Sequence, residues 1–192
     1  MVTGMRAWKA VVVAAPLVVT ACGGANSTVA SDASPSALPA SAQQVIDEAN
    51  AMPLISQING MVPPEKPTLV HTSALVLNVM RDGQQVRVYR DIREAGTRAP
   101  FHVHPFGGWT CVVSGQAILY LEGAEPQRVE AGGCVDMPAL KAMSNANPGP
   151  GPSVLLDNFV TPPGAPVWRI VESGDTAMGN EFATGPAIRE NP

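Results

Sequence analysis

The chain has 192 residues, with 12 Lys and Arg against 16 Asp and Glu, a formal charge of −4 at pH 7. An acidic chain with no basic cluster is a poor partner for nucleic acid, whose phosphates attract Lys and Arg. The length suits one modest domain rather than several.

Residues 1–21 read as an export leader. Arg6 and Lys9 give it a positive start, and Ala10 to Val19 form an apolar core too short to span a bilayer as a stable anchor. The core runs into Val19-Thr20-Ala21-Cys22, which resembles a bacterial lipobox. In such sequences the cysteine is acylated and becomes the mature N-terminus. An ordinary signal peptide with a chance cysteine is the alternative. Each buried CH₂ of an acyl chain contributes about 0.8 kcal/mol, so lipid on Cys22 would hold the protein in the bacterial cell envelope. The expected place is the outer side of the cytoplasmic membrane or the periplasm, with membrane contact through the anchor alone. Losing Arg6 and Lys9 with a leader that holds no acidic residue takes the charge from −4 to −6. Residues 22–40 are small, polar and dotted with proline. They cannot bury enough apolar area to offset their ordering entropy and read as a flexible tether.

Residues 41–67 are expected to hold a short helix and a lead-in. Ser41-Ala42-Gln43-Gln44 has the form of a capping box, and Val45, Ala49 and Met52 recur at helical spacing until Pro53. Val62-Pro63-Pro64-Glu65-Lys66-Pro67 then leads into a β region over 68–173. Leu69 to Met80 is an apolar run, and Asp82-Gly83 is a tight-turn dipeptide. Gln85 to Val88 alternates as a half-buried strand does. Gln116 to Leu121 and Gln127 to Glu130 form a second hairpin, and Val154 to Val160 and Val167 to Val171 supply closing strands. Many short strands with regular turn signals argue for a sandwich or barrel. The tail, 174–192, reads as loosely ordered.

The chemistry concentrates in Gly96 to Gly115, where His102 and His104 are two of three histidines. They stand two apart between Pro100 and Pro105, so on a strand both imidazoles share one face. Two imidazoles side by side begin many metal sites. His71, in the first β segment, has no visible partner and reads as structural.

This segment resembles the first motif of the cupins, small jelly-roll β-barrels. Gly96, His102, His104 and Gly115 fall on the pattern, and Gly108 stands where the family has Glu. Gly132, Pro138 and Asn147 fit the second motif, with Leu140 at its Gly position and Met143 at its His position. The resemblance covers roughly residues 70–170. It implies an all-β fold, a cupin-like jelly-roll barrel with a short N-terminal helix. It also implies pairing of barrels through their sheets, so a homodimer is open. In such a barrel the strands flanking the 116–130 hairpin are neighbours, and Cys111 and Cys134 fall nearly in register. With Cys22 lipidated, a Cys111–Cys134 disulfide would then fit an oxidising compartment. Two buried thiols are the alternative.

Three readings of the site follow. In the first, the ligand set has decayed and the barrel binds a small molecule. Phe101, Phe106 and Trp109 would be its walls, and Gly107-Gly108 would open its floor. In the second, the chain is a metal-dependent enzyme of dioxygenase or isomerase type. It would use His102 and His104 with a third ligand such as Asp136 or Asp157 turned inward. In the third, His102, His104 and Met143 form a soft set for copper, shielded by Trp109. The cofactor is accordingly none, one divalent metal, or one copper ion. The carboxylate of Glu94 reads as a solvated surface group, and no Ser-His-Asp or Cys-His arrangement is visible.

Overall fold

A computed structural model of the chain describes residues 38–69 and 73–173. Cys22, His71, the leader, most of the tether and the tail lie outside the described residues.

The helix, α1, spans Ala40–Ala51. It begins one residue ahead of Ser41, with Pro39 as N-cap and no side-chain cap bond, so the expected capping box does not form. Gln43 instead donates to Asp47 Oδ1 at 2.8 Å. The buried face is Ala42, Ile46 and Ala49, with Val45 half-buried at its margin. At its end Arg169 donates to the carbonyls of Ala49 and Met52 at 2.8 and 3.0 Å, satisfying acceptors the last turn leaves free.

The strands are β1 (Lys66–Pro67), β2 (Ala74–Arg81), β3 (Gln84–Arg93), β4 (Thr97–Arg98), β5 (His102–Val103) and β6 (Gly108–Ser114). They continue with β7 (Gln116–Leu121), β8 (Gln127–Glu130), β9 (Cys134–Met137), β10 (Met143–Asn147), β11 (Ser153–Thr161) and β12 (Arg169–Ile170). One sheet has the order β2-β3-β11-β6-β9. The other runs β1-β4-β10-β5-β12, with β7 on the free side of β10 and β8 beyond it. Successive segments thus pass from one sheet to the other, as in a jelly roll. The fold is all-β and cupin-like with one short helix, and its two sheets form a sandwich rather than a closed barrel.

Both expected hairpins are present. Asp82 and Gly83 have φ of 51° and 75° and close the β2–β3 turn, and Leu119 pairs with Gln127 in the other. Between β6 and β7 the chain changes sheets at Gly115. Its φ is 75°, and a Cβ there would lie 2.9 Å from the Ser153 Cα, so only glycine serves. Cys111 and Cys134 are direct partners across β6 and β9 and are disulfide-bonded. Cys134 is exposed, which removes the buried-thiol alternative. Edge strand β2 exposes Val76, Leu77, Val79 and Met80.

Strand alternation divides the apolar residues into two cores. Between the sheets lie Tyr89, Val112, Leu119, Met137, Met143, Leu155 and Phe159 with their neighbours. On the other side of the seven-stranded sheet, Ala49 of α1 meets Phe101, Val103, Tyr120, Ala146 and Val171. An ion pair closes this second layer. Arg98 donates to Glu172 through both terminal nitrogens at 2.6 and 2.9 Å, and the Phe101 N–H donates to the same carboxylate at 2.9 Å. Both side chains are almost fully buried. Removing one partner strands a buried charge, so Glu172→Ala should cost about 3–5 kcal/mol. In urea unfolding, the paired change Arg98→Met/Glu172→Leu should lose distinctly less.

Candidate functional site

Strand β5 is held between β10 and β12, with His102 opposite both Met143 and Ile170. Phe101 and Val103 face the helix layer. Alternation therefore turns His102 and His104 toward the space between the sheets. Their rings stand 4.9 Å apart, edge to face. His102 meets Trp168 at 5.3 Å, and His104 meets Phe159 at 4.8 Å.

Each ring is oriented by a backbone carbonyl. His102 Nδ1 lies 2.7 Å from Pro100 O, and His104 Nδ1 lies 2.6 Å from Val167 O. A carbonyl oxygen only accepts, so Nδ1 carries the proton and Nε2 is left as the acceptor or ligand atom. Burial pushes His102 down to about 3, helped by the neighbouring His104 and by Arg93 against the pull of Pro100 O. Burial likewise lowers His104 to about 4, against its bond to Val167 O. Both imidazoles are neutral near pH 7.

The remaining expected ligands and walls divide by strand parity. Met143 is fully buried on the inner face beside His102. Asp157 also lies on the inner face, opposite Tyr89 and Thr110. Asp136 is exposed, paired with Trp109 on the outer face. Trp109 itself is 42% exposed, so it neither shields nor walls the site. Phe101 is sealed in the helix-side core, and Phe106 is half-buried in the turn after β5. The expected walls are thus replaced by Phe159 and Trp168, from strand β11 and the approach to β12. Nothing in the local sequence near the histidines signals either residue.

Gly108 does not open a floor. A Cβ at this position would lie 2.6 Å from Asn158 O and 2.8 Å from the Phe159 ring, so Phe159 fills the space. Leu140 has a positive φ of 56° and donates its N–H to His104 O at 3.0 Å. A non-glycine residue held there stores about 1–3 kcal/mol of strain.

This geometry tests the metal reading. Among the described residues, no group of three or more His, Cys, Asp and Glu could hold a metal ion. With Phe159 in the space beside Gly108 and Met143 opposite His102, the donors beside the pair among the described residues are two imidazoles and a thioether, a poor set for Fe²⁺, Mn²⁺ or Zn²⁺. The histidines, neutral and tied at Nδ1, remain suited to accept hydrogen bonds from an organic molecule.

The sequence did not reveal the polar lining of the five-stranded sheet's inner face. Asp91 and Arg93 on β3, Ser153 and Asp157 on β11, and Thr110 on β6 all lie there, in register or one pair apart. Burial, Asp91 and Thr110 set the state of Asp157. Desolvation first and Asp91 second raise its carboxyl from 3.8 to about 8, while Thr110 and Arg93 pull the other way.

A separate open surface cavity of about 340 Å³ is lined by Gly115, Gln116, Glu130, Asn147 and Gly149 to Pro152, none of them near the histidines.

No family model matches the chain, and no curated protein matches it. Solved structures similar to it include cupin and double-stranded β-helix proteins. A Klebsiella pneumoniae protein with a double-stranded β-helix domain is 23% identical at a TM-score of 0.42, covering 67% of this chain and 95% of that one. An RmlC-like cupin protein from Methanocaldococcus jannaschii is 18% identical at 0.41, covering 54% and 95%. The DMSP lyase DddQ from Ruegeria pomeroyi is 22% identical at 0.42, covering 46% of this chain and 45% of its own. The chain thus spans less than half the length of that lyase. At these values the likenesses say nothing of chemistry, and the fold rests on the strand order above.

A group whose folded-state carboxyl is raised keeps its proton on folding, so its contribution to stability is present at low pH and lost as pH rises. Asp157, facing Asp91 and Arg93 from β3 and Thr110 from β6, should therefore make the protein less stable between about pH 4 and pH 8. The histidines act oppositely below about pH 6.5, so the difference between wild type and Asp157→Asn isolates the carboxyl. Melting curves across this range should show Asp157→Asn gaining on wild type as pH rises. A constant difference would contradict the assignment.

Proposed function

We propose that the chain is an exported, lipid-anchored protein of cupin type that binds a small organic ligand between its sheets. The histidine pair carries this reading. Both Nδ1–H groups are committed to backbone carbonyls and burial keeps both rings neutral, which leaves two Nε2 acceptors beside Trp168 and Phe159. A few fixed polar atoms against aromatic walls are the usual make-up of a ligand site. An enzyme working through Fe, Mn or Zn finds less support, because Gly108 and Met143 stand at two ligand positions and Phe159 occupies one of the vacated spaces.

One observation favours copper as a second reading: the register sets the Met143 thioether on the same face as His102. Two imidazoles and a thioether suit Cu(I). Against it, Met143 is packed in the apolar core with Leu119, Met137 and Leu155.

Elemental mass spectrometry separates these readings, using the full-length chain purified without a polyhistidine tag beside His102→Ala/His104→Ala. The proposal expects far less than one Fe, Mn or Zn per chain even after challenge with each metal. A near-stoichiometric content lost in the double variant would overturn it, and Cu(I) uptake lost in Met143→Ala would establish the second reading. The anchor has its own test. Wild type should fractionate with membranes and Cys22→Ser with the soluble envelope fraction. Equal partitioning of the two would argue for an ordinary leader.

A further inference from the structure

The interior carries more polar chemistry than the histidines. Asp91 Oδ1, Arg93 Nε, Thr110 Oγ1, Ser153 Oγ and Asp157 Oδ1 are buried with no partner in full hydrogen-bond geometry among the described residues, Thr110 and Asp91 being the side chains that press on the Asp157 carboxyl. Thr110 and Ser153 are completely inaccessible, and Arg93 is 5% exposed. The five side chains come from three adjacent strands and point to one face. Leaving such an atom unsatisfied costs about 1–3 kcal/mol, so five on one wall call for something that satisfies them.

We infer that Asp91, Arg93, Thr110, Ser153 and Asp157 form the recognition wall for a small uncharged polyhydroxylated molecule, a sugar or polyol. This deepens the ligand-binding reading above and rests on it. The choice of class follows from charge and hydrogen-bond type. The wall mixes carboxyl groups at Asp91 and Asp157, a donor at Arg93 and two hydroxyls that do both. Arg93 lies beside Asp91 and Asp157, the Asp157 carboxyl is raised to about 8, both histidines are neutral, and the further buried cation of this face, Arg87, is engaged by Thr161 Oγ1 and Ala165 O, so the wall itself offers no unpaired charge to an ionic ligand. A charged guest would be buried without compensation, a heavy cost. Hydroxyl groups both give and accept, matching such a wall group by group. From the facing sheet His102 and His104 supply further acceptors, with the Trp168 ring against His102.

A metal ion fits the wall less well. The Arg93 guanidinium stands beside the carboxylates, and no group of three metal-binding side chains forms among the described residues.

Calorimetry and melting curves on the full-length chain test the inference with named probes: D-glucose, D-galactose, myo-inositol and glycerol, beside the charged analogues D-glucuronate and D-glucosamine. The expected result is saturable binding of at least one neutral probe, in preference to both charged ones. Thr110→Val keeps the side-chain shape and deletes the hydroxyl, and Asp157→Leu deletes the carboxyl. Each should weaken that binding about tenfold, the equivalent of one lost hydrogen bond.

If a neutral probe binds but Thr110→Val and Asp157→Leu leave its Kd unchanged, the wall assignment is wrong while the ligand-binding reading stands. Stronger binding of glucuronate or glucosamine overturns the class and again leaves that reading intact. Absence of binding by every probe overturns this inference, with water satisfying the wall. If His102→Gln and His104→Gln then also leave retention of small molecules from a cell-envelope extract unchanged, the ligand-binding reading fails with it.

Discussion

The Arg98–Glu172 pair sits under the helix, where neither charge can reach bulk water. Two charge-assisted bonds and the Phe101 N–H use both carboxylate oxygens, and Arg98 also stacks over the Phe101 ring at 4.4 Å. The pair joins β4 to the segment after β12, and the histidine strand β5 lies between them in the chain's path. Strand β5 has two residues and few ladder bonds of its own. Its position depends on β10 and β12 on either side, and the buried pair holds β12 there. The histidines inherit their placement from an interaction on the opposite face of their sheet.

That placement makes the histidine side of the interior polar but uncharged near pH 7. Desolvation, the largest influence on both histidines and on Asp157, drives all three toward neutrality. Among the described residues, no group of three or more His, Cys, Asp and Glu forms beside the imidazoles. Instead Phe159 occupies the space where a Gly108 side chain would project, and Met143 stands across from His102. Met143 and Phe159 both belong to the apolar core between the sheets.

Leu140 shows the same history from the backbone's side. It keeps φ of 56° without being glycine, and its N–H still supports His104 O. The turn holds a leucine in a conformation that costs it a conformational penalty. Holding the His104 carbonyl in place is a function the turn still performs.

Read as sequence, the chain already disclosed its β class, the Asp82-Gly83 and 116–130 hairpins, the short helix and the shared face of His102 and His104. These depend on local turn chemistry and on the period-two alternation of strands, which a linear pattern carries. Cys111 and Cys134 were also within reach, because register across a hairpin is arithmetic once the strands are known to be neighbours. Parity decided the rest. Phe101 and Trp109 are near the histidines in the chain but lie on other faces, while Phe159 and Trp168, more than fifty residues away, touch the rings. The wall of Asp91, Arg93, Thr110, Ser153 and Asp157 draws on three strands whose adjacency comes from the jelly-roll crossings. Local sequence sets which residues share a face of one strand. Only the packing of the two sheets sets which faces meet, because that depends on contacts between segments far apart in the chain.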